Sequence, residues 1–162
     1  MAAGRRGRRV VTTFLLSPGL GFSYIAAVMP EIAKFVNTAA ANITPVIAEK
    51  VLRQLPQWKL EFTQISAPQF PHLVDQLEFL ADVVEDAVEG VYKELPYTAI
   101  AQAVFALLYA HKKMGIIPDS VLELGRADDS SVVRAVLIQN EKAFSAYASA
   151  QGIDWGKITS QP

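Results

Sequence analysis

The chain has 162 residues, of which 51% are hydrophobic and 19% charged, and it contains no cysteine. This length predicts one domain, or one domain with an appendage, and the apolar content excludes intrinsic disorder over most of the chain. The absence of cysteine excludes disulfide frameworks, cysteine-based zinc sites and thiol catalysis. Only two histidines are present, His72 and His111, which argues against a His-rich metal site and against a Ser/His triad.

The near-neutral net charge of −1 hides an uneven distribution along the chain. Four of the 15 basic residues lie within the first nine positions, and none of the 16 acidic residues precedes Glu31. A surface for duplex nucleic acid requires a cluster of Lys and Arg within the folded part. The sequence after residue 30 contains no such cluster, so we expect no nucleic-acid partner. The arginines themselves can contact phosphate or anionic lipid, but we favour the interpretation that they form a flexible tail.

Residues 10–30 carry no charge, and three interpretations remain open for them. They can form a membrane-spanning or membrane-dipping segment, because a span needs about 20 mostly apolar residues with basic residues on its cytoplasmic side. They can also form a cleaved targeting segment, or the first part of a helical core. Ser17-Pro18-Gly19 and Gly21 count against one continuous span. The candidate anchor residues are Arg5, Arg6, Arg8, Arg9, Phe14, Leu15 and Leu16.

Two helices are predicted before residue 56. Apolar residues at three- and four-residue spacing predict a helix over residues 24–37, which Pro30 bends or interrupts. Thr44 and Pro45 are typical of an N-cap followed by proline at the first helical position, and this second helix is predicted to end near Leu55.

Residues 56–71 contain three prolines, which bracket residues 58–65, and that segment has only a partial period of two. A lone strand would have no partner in this chain. The pattern therefore predicts an extended connector that packs Trp58, Leu60 and Phe62 against helices, with the best domain boundary near residue 66.

Residues 71–93 form the clearest predicted helix, with an apolar stripe at helical spacing. The opposite face carries Asp75, Glu78, Asp82, Glu85, Asp86 and Glu89. Carboxylates at this spacing hold metal ions in di-iron bundles, but those sites also need an inward-facing histidine. Since no such histidine is present, we expect a solvated face that can meet a basic partner such as the N-terminal arginines.

The C-terminal half predicts two further helices. Residues 97–111 are apolar nearly all round the predicted helix, which favours a buried central helix. After a loop, a last long helix is predicted over residues 130–151, with Asp128 or Asp129 as its N-cap. Trp155, in the tail, can fold back onto the bundle. The two histidines are expected to be ordinary side chains of a helix end and a loop.

These elements predict an all-α protein, a small bundle of about four to six helices with an extended, proline-bracketed connector. Its predicted segments are a basic and apolar anchor, targeting or docking segment at 1–30, helices and connector at 31–66, a helical module at 67–152 and a tail at 153–162.

A short motif lies between the buried helix and the last helix. Its residues are Ile116-Ile117-Pro118-Asp119, Gly125 and Asp128-Asp129, preceded by Leu107-Leu108-Tyr109. The motif resembles that of the YkvA-like family, small helical proteins of unknown function, and the resemblance covers about residues 75–140. The chain departs from the family pattern at Lys113-Met114-Gly115, where the family has Pro-Ile-Asp, and at Leu122, where it has proline. The resemblance implies membrane association, as for many family members.

The motif residues have a structural interpretation and a functional one. In the structural interpretation, Pro118 and Asp119 fix a turn and Gly125 permits a positive φ or a close approach. Asp128 then caps the last helix and Asp129 complements its dipole, within reach of Arg134. In the functional interpretation, Asp119, Asp128 and Asp129 form a divalent-cation or general-acid cluster. The lost upstream acid weakens the functional interpretation, and we favour the structural one.

The sequence therefore predicts a non-enzymatic interaction protein with no cofactor and no resident metal. The expected partner is a membrane surface or a protein complex, contacted through the N-terminal segment. The expected location is the cytoplasmic side of a membrane, with an organellar or soluble cytoplasmic location as alternatives. Deleting residues 1–30 should release the protein from that partner.

Overall fold

The computed structural model describes residues 20–112, 127–158 and 161, and only the backbone for residues 20–28, 112 and 127. All regular secondary structure in these ranges is helical, which confirms the predicted all-α class. The helices are α1 (Leu20–Ala40), α2 (Pro45–Phe62), α3 (Leu73–Val88), α4 (Tyr97–Lys112), α5 (Ala127–Gln139), α6 (Glu141–Ala150) and α7 (Trp155–Ile158).

Helix α1 is longer than the sequence predicted at both ends. It runs through Pro30 without ending there. Its second half buries Ile32, Val36 and Ala40, whose four-residue spacing places them on one face. The predicted anchor residues of the segment 1–19 lie outside the described residues, so the three interpretations of that segment stay open.

Helix α2 corrects the prediction of an extended connector after Leu55. The helix continues through Pro56 to Phe62. Leu55, Trp58 and Phe62 are all buried and follow at three- and four-residue spacing, so helix formation buries all three on one face. That gain outweighs the backbone hydrogen bond lost at the proline. The same geometry turns Leu60 outward, where 70% of it is exposed, and the predicted packing of Leu60 was wrong.

The structure confirms the predicted start of α2 and the predicted burial of α4. The Thr44 hydroxyl accepts a hydrogen bond from the backbone N–H of Ile47, the contact expected of an N-cap. Side chains from Ala99 to Ala110 are buried or half-buried all round α4. Helix α4 is therefore the central helix that its apolar composition predicted.

The predicted last helix, residues 130–151, is two helices. Asn140 separates α5 from α6. Its Nδ2 donates to the backbone carbonyl of Val136 (2.8 Å) and to Oε1 of Gln102 (2.7 Å), and Gln102 Nε2 donates to Oδ1 of Asn37 (3.0 Å). This chain of amides joins α1, α4 and the α5–α6 junction. An asparagine that bonds a neighbouring carbonyl competes with the helix, which explains the break.

Two smaller differences concern the ends of elements. Helix α3 ends at Val88 rather than near residue 93, and Gly90 follows with a φ of +79°, a conformation that glycine adopts without strain. Val91, which lies within the predicted helix but after the end of α3, is exposed. The tail does fold back as predicted, because the Trp155 ring centroid lies 5.5 Å from that of Phe79.

Candidate functional site

The first turn of α5 contains a cluster of buried polar side chains. Asp128, Asp129 and Arg134 are exposed by only 4%, 2% and 4%, although such residues are rarely buried this fully. Ser130 and Ser131 beside them are buried as well. The Tyr109 hydroxyl on α4 donates to Oδ2 of Asp128 at 2.9 Å. Since α5 begins at Ala127, Asp128 lies inside the first turn rather than at the predicted N-cap.

The cluster brings buried charges of both signs to the first turns of α5. Asp128 and Asp129 bring two carboxylates to the positive end of the α5 dipole, and Arg134 is the one cation among these buried side chains. Burial lowers the pKa of the Arg134 guanidinium, because desolvation disfavours its charged form. A buried charged side chain requires close hydrogen-bond or charge partners. The contacts of this cluster therefore fix the first turns of α5 to the neighbouring residues.

The other predicted motif residues, Pro118, Asp119 and Gly125, lie outside the described residues. The grouping of Asp119 with Asp128 and Asp129 therefore remains a prediction. Within the ranges that the structure describes, no three or more histidine, aspartate or glutamate side chains are arranged to hold a metal ion.

A second polar contact, which the sequence did not predict, joins α2 to the end of α4. The His111 ring stacks on Trp58 with centroids 4.0 Å apart and planes 15° apart. Its Nε2 lies 2.9 Å from Oε2 of Glu61. Trp58 and Glu61 are three residues apart, so a helix places them on one side. The prediction of an extended connector over residues 56–71 did not place Trp58 and Glu61 on one side, so it did not indicate this contact.

The acidic face of α3 is only partly solvated, which corrects the prediction for that face. Lys59 Nζ lies 2.7 Å from Oδ1 of Asp82 and 2.8 Å from Oε1 of Glu85. The Tyr147 hydroxyl donates to Oδ2 of Asp86 at 2.6 Å. Asp75 at the start of α3 is exposed as predicted.

Burial and these contacts shift two pKa values. Desolvation opposes the charge of Lys59, but its hydrogen bonds to two carboxylates prevail and raise the pKa of the amine. Burial, together with the hydrogen bond to Asp86, raises the pKa of Tyr147 well above that of an ordinary tyrosine. Three of the predicted surface acids are therefore held within the fold.

Contacts along α4 give the directions of its neighbours. Helix α1 runs antiparallel to it, because Asn37 meets Gln102 whereas the Phe35 ring lies 6.0 Å from that of Tyr109. Helix α5 is also antiparallel, because Asp128 meets Tyr109 and Asn140 just beyond its end meets Gln102.

Helix α2 runs parallel to α4. Ile43, just before α2, accepts a hydrogen bond from the Tyr97 hydroxyl at the start of α4, and Trp58 stacks on His111 near its end. Helices α2 and α4 therefore end where α5 begins. We call this end of the bundle the His111 end.

Helix α1 extends beyond α4 at the His111 end. Continuing its antiparallel register places Val28 level with Lys112, the last residue of α4. The first turns of α1, Leu20–Ala27, therefore lie beyond α4 by up to about 12 Å at the helical rise of 1.5 Å per residue. The four arginines precede this part of α1 in the sequence, and the uncharged run, residues 10–30, includes it.

Two further findings concern membrane crossing and similarity to known proteins. Within the described ranges, no helix has both the length and the hydropathy needed to cross a membrane. No family model, curated protein or solved structure matches the chain. The similarity to the YkvA-like family therefore rests on the motif residues alone.

Proposed function

We propose that the protein is a non-enzymatic helical docking module that attaches to a larger surface through residues 1–28 at its His111 end. The observation that carries the proposal is the register of α1 against α4, which extends Leu20–Ala27 past the last residue of α4. The polar clusters at this end, around Asp128 and His111, hold the neighbouring helices together. They would supply a rigid base for the attached segment.

The composition of the segment supports docking by apolar contact and charge. It contains no acidic residue, has four arginines in its first nine positions and is uncharged from Val10 onward. A helix that follows a basic segment and carries apolar residues is suited to lie on a membrane surface or in the groove of a partner protein. The YkvA-like motif points the same way, since membrane association is common in that family. We therefore place the protein at the cytoplasmic side of a membrane, alone or as an accessory subunit of an assembly.

Cell fractionation tests the docking function. A full-length variant in which Arg5, Arg6, Arg8 and Arg9 are replaced by glutamine should leave the membrane pellet or the large complex and appear in the soluble, low-mass fraction. The matched control replaces Lys50 and Arg53 by glutamine, because both are exposed basic residues of α2. Fractionation that is equal for wild type and both variants would contradict the proposal.

One observation supports a second candidate, a cation-dependent module. Asp128 and Asp129 are adjacent, fully buried and accompanied by one buried cation, and Asp119 is predicted to join them. Calorimetric titration of Mg²⁺, Mn²⁺ and Ca²⁺ into wild type and into Asp128→Asn distinguishes the two functions. Heat of binding that the substitution abolishes would favour the cation module, and no heat with either protein would dispose of it.

A further inference from the structure

We infer that a cavity between the end of α1 and the start of α4 binds a small, neutral, planar ligand that carries a carboxamide or lactam group. The cavity lies at the opposite end of the bundle from the His111 end, because α1 ends where α4 begins. The inference goes beyond the proposed docking function and uses none of its residues.

The size and lining of the cavity suit one flat ring with a short substituent. Its volume is about 330 Å³, close to the lower limit of about 300 Å³ for small-molecule pockets. The small side chains of Ala40, Ala41 and Ala101 line it and leave this space open. Ile43 and Tyr97 add larger apolar surface to the walls, which can be removed from water by a ring.

Hydrogen bonds hold these walls in place without a ligand. The Tyr97 hydroxyl donates to the backbone carbonyl of Ile43 at 2.7 Å. The backbone N–H of Asn42 donates to the carbonyl of Ala39 at 3.1 Å, and that of Ile43 to the carbonyl of Ala40 at 3.0 Å. These contacts fix the turn after α1 against the first turn of α4. A preformed site costs less ordering of the protein on binding than a flexible one.

The amide chain at the end of α5 determines which group of Asn37 is available. Asn140 Nδ2 contacts the backbone carbonyl of Val136, which only accepts, so this atom is the donor. The same nitrogen donates to Oε1 of Gln102, and Gln102 therefore presents Nε2 to Oδ1 of Asn37. Among the described residues, no hydrogen bond uses Nδ2 of Asn37. Asn37 and Gln102 both line the cavity, so the donors of Asn37 remain for a ligand.

The polar groups of the lining define the class of ligand. Asn37 Nδ2 only donates, whereas the Thr98 hydroxyl, which also lines the cavity, can donate or accept. A carboxamide complements both, because its carbonyl accepts from Asn37 and its N–H donates to Thr98. None of the eight lining residues is charged at neutral pH. A charged ligand would lose hydration there without gaining a counter-ion, which favours a neutral one.

Benzamide is the probe, because it joins a carboxamide to one flat ring, and benzoate is its matched comparison of the same shape with a negative charge. In ¹H–¹⁵N NMR titrations of the full-length protein, benzamide should saturably shift the side-chain amide signals of Asn37 and Gln102 and the backbone signal of Ala41. The expected dissociation constant is about 1 mM, as for other ligands of this size. The indole N–H of Trp58, at the His111 end, should not shift. Benzoate should bind at least about tenfold more weakly.

Two variants test the site directly. Ala41→Leu fills the cavity and should weaken benzamide binding by about tenfold or more. Its matched control is Ala150→Leu, because Ala150 is also an exposed alanine at the end of a helix but does not line the cavity. Asn37→Asp keeps an oxygen for Gln102 and replaces the donor by an acceptor, so it should weaken binding by about tenfold. Thermal unfolding should show that all three variants fold, since all three positions are exposed.

Each contrary result overturns one part of the inference. The absence of saturable shifts with benzamide would overturn the site. Equal effects of Ala41→Leu and Ala150→Leu would overturn its location, and undiminished affinity in Asn37→Asp would overturn the role of the amide donor. Equal binding of benzoate and benzamide would overturn the neutral class of ligand. The fractionation test of docking is independent of all these results, because it depends on residues at the other end of the bundle.

Discussion

Replacing Tyr109 by phenylalanine removes one hydroxyl from the buried contact that joins α4 to the first turn of α5. The hydroxyl donates to Oδ2 of Asp128 at 2.9 Å, and both residues are almost fully buried. A hydrogen bond to a charged group contributes about 1.5–3 kcal/mol, and water cannot readily replace the lost donor at a buried site. We therefore expect Tyr109→Phe to lower the free energy of unfolding by about 2 kcal/mol.

Thermal and urea unfolding followed by circular dichroism measure this loss. For a chain of this size, about 2 kcal/mol corresponds to a fall in Tm of about 4–8 °C. Tyr97→Phe is the matched control, because the Tyr97 hydroxyl donates to an uncharged acceptor, the backbone carbonyl of Ile43. Tyr97 is 45% exposed, so water can replace its hydrogen bond and the loss should stay below about 1 kcal/mol.

An equally small loss of stability in Tyr109→Phe and Tyr97→Phe would contradict this prediction. That result would mean that the Asp128 carboxylate does not depend on the Tyr109 donor. A double-mutant cycle with Asp128→Asn locates the effect, because the coupling between the two substitutions isolates the pairwise contact.

Three further predictions concern single side chains. Among the described residues, the buried Ser130 hydroxyl has no hydrogen-bond partner, so Ser130→Ala should raise the free energy of unfolding by about 1 kcal/mol in urea unfolding. The pKa values of Tyr147 and Lys59 are raised in the folded protein, so both groups bind their protons more tightly than in the unfolded chain. Their contribution to stability is complete below their ordinary pKa values of about 10 and is lost as the pH rises through the folded values. Trp58→Ala should cost about 3–5 kcal/mol because the ring is buried, whereas Leu60→Ala on the same helix should change stability by less than about 0.5 kcal/mol.

Each of these has its own control and contrary result. A destabilised Ser130→Ala would show that the hydroxyl has a partner after all. Tyr147→Phe should lose less stability than wild type between about pH 9 and about pH 11, and an equal loss would remove Tyr147 from the explanation. A Trp58→Ala variant as stable as Leu60→Ala would contradict the placement of residues 56–62 in a helix.

Local sequence patterns predicted a helix or helix start correctly where neighbouring residues alone determine it. The apolar composition of residues 97–111 predicted a buried helix because no orientation exposes a polar face. Thr44-Pro45 predicted a helix start because the cap requires only neighbouring backbone groups. Patterns of this kind are complete within about four residues, so no knowledge of distant contacts was needed.

Local patterns failed where a distant side chain decided the outcome. Pro56 predicted a helix end, but the burial of Trp58 against the rest of the bundle continued the helix. The sequence around Asn140 did not predict a break between two helices. The break is accompanied by the hydrogen bond of Asn140 to Gln102, 38 residues away. Helix propensity is a weak preference that such tertiary contacts override.

The candidate site shows the same division. The polar side chains Asp128, Asp129 and Arg134 were identifiable from the motif, but their near-complete burial was not, because charged residues are usually exposed. The stack of His111 on Trp58 and the pairing of Lys59 with Asp82 depend on helices that meet only in the folded chain.

The sequence alone determined that this is a helical protein with a basic, then uncharged, segment before an acidic remainder, since composition and spacing are properties of the chain itself. Only the tertiary structure decided where the described part of the uncharged run, Leu20–Pro30, lies. The antiparallel register of α1 and α4 extends the uncharged turns past the His111 end, and register depends on packing between residues distant in sequence. The described uncharged turns thereby acquire a position in the fold, and that position is the observation behind the proposed docking function.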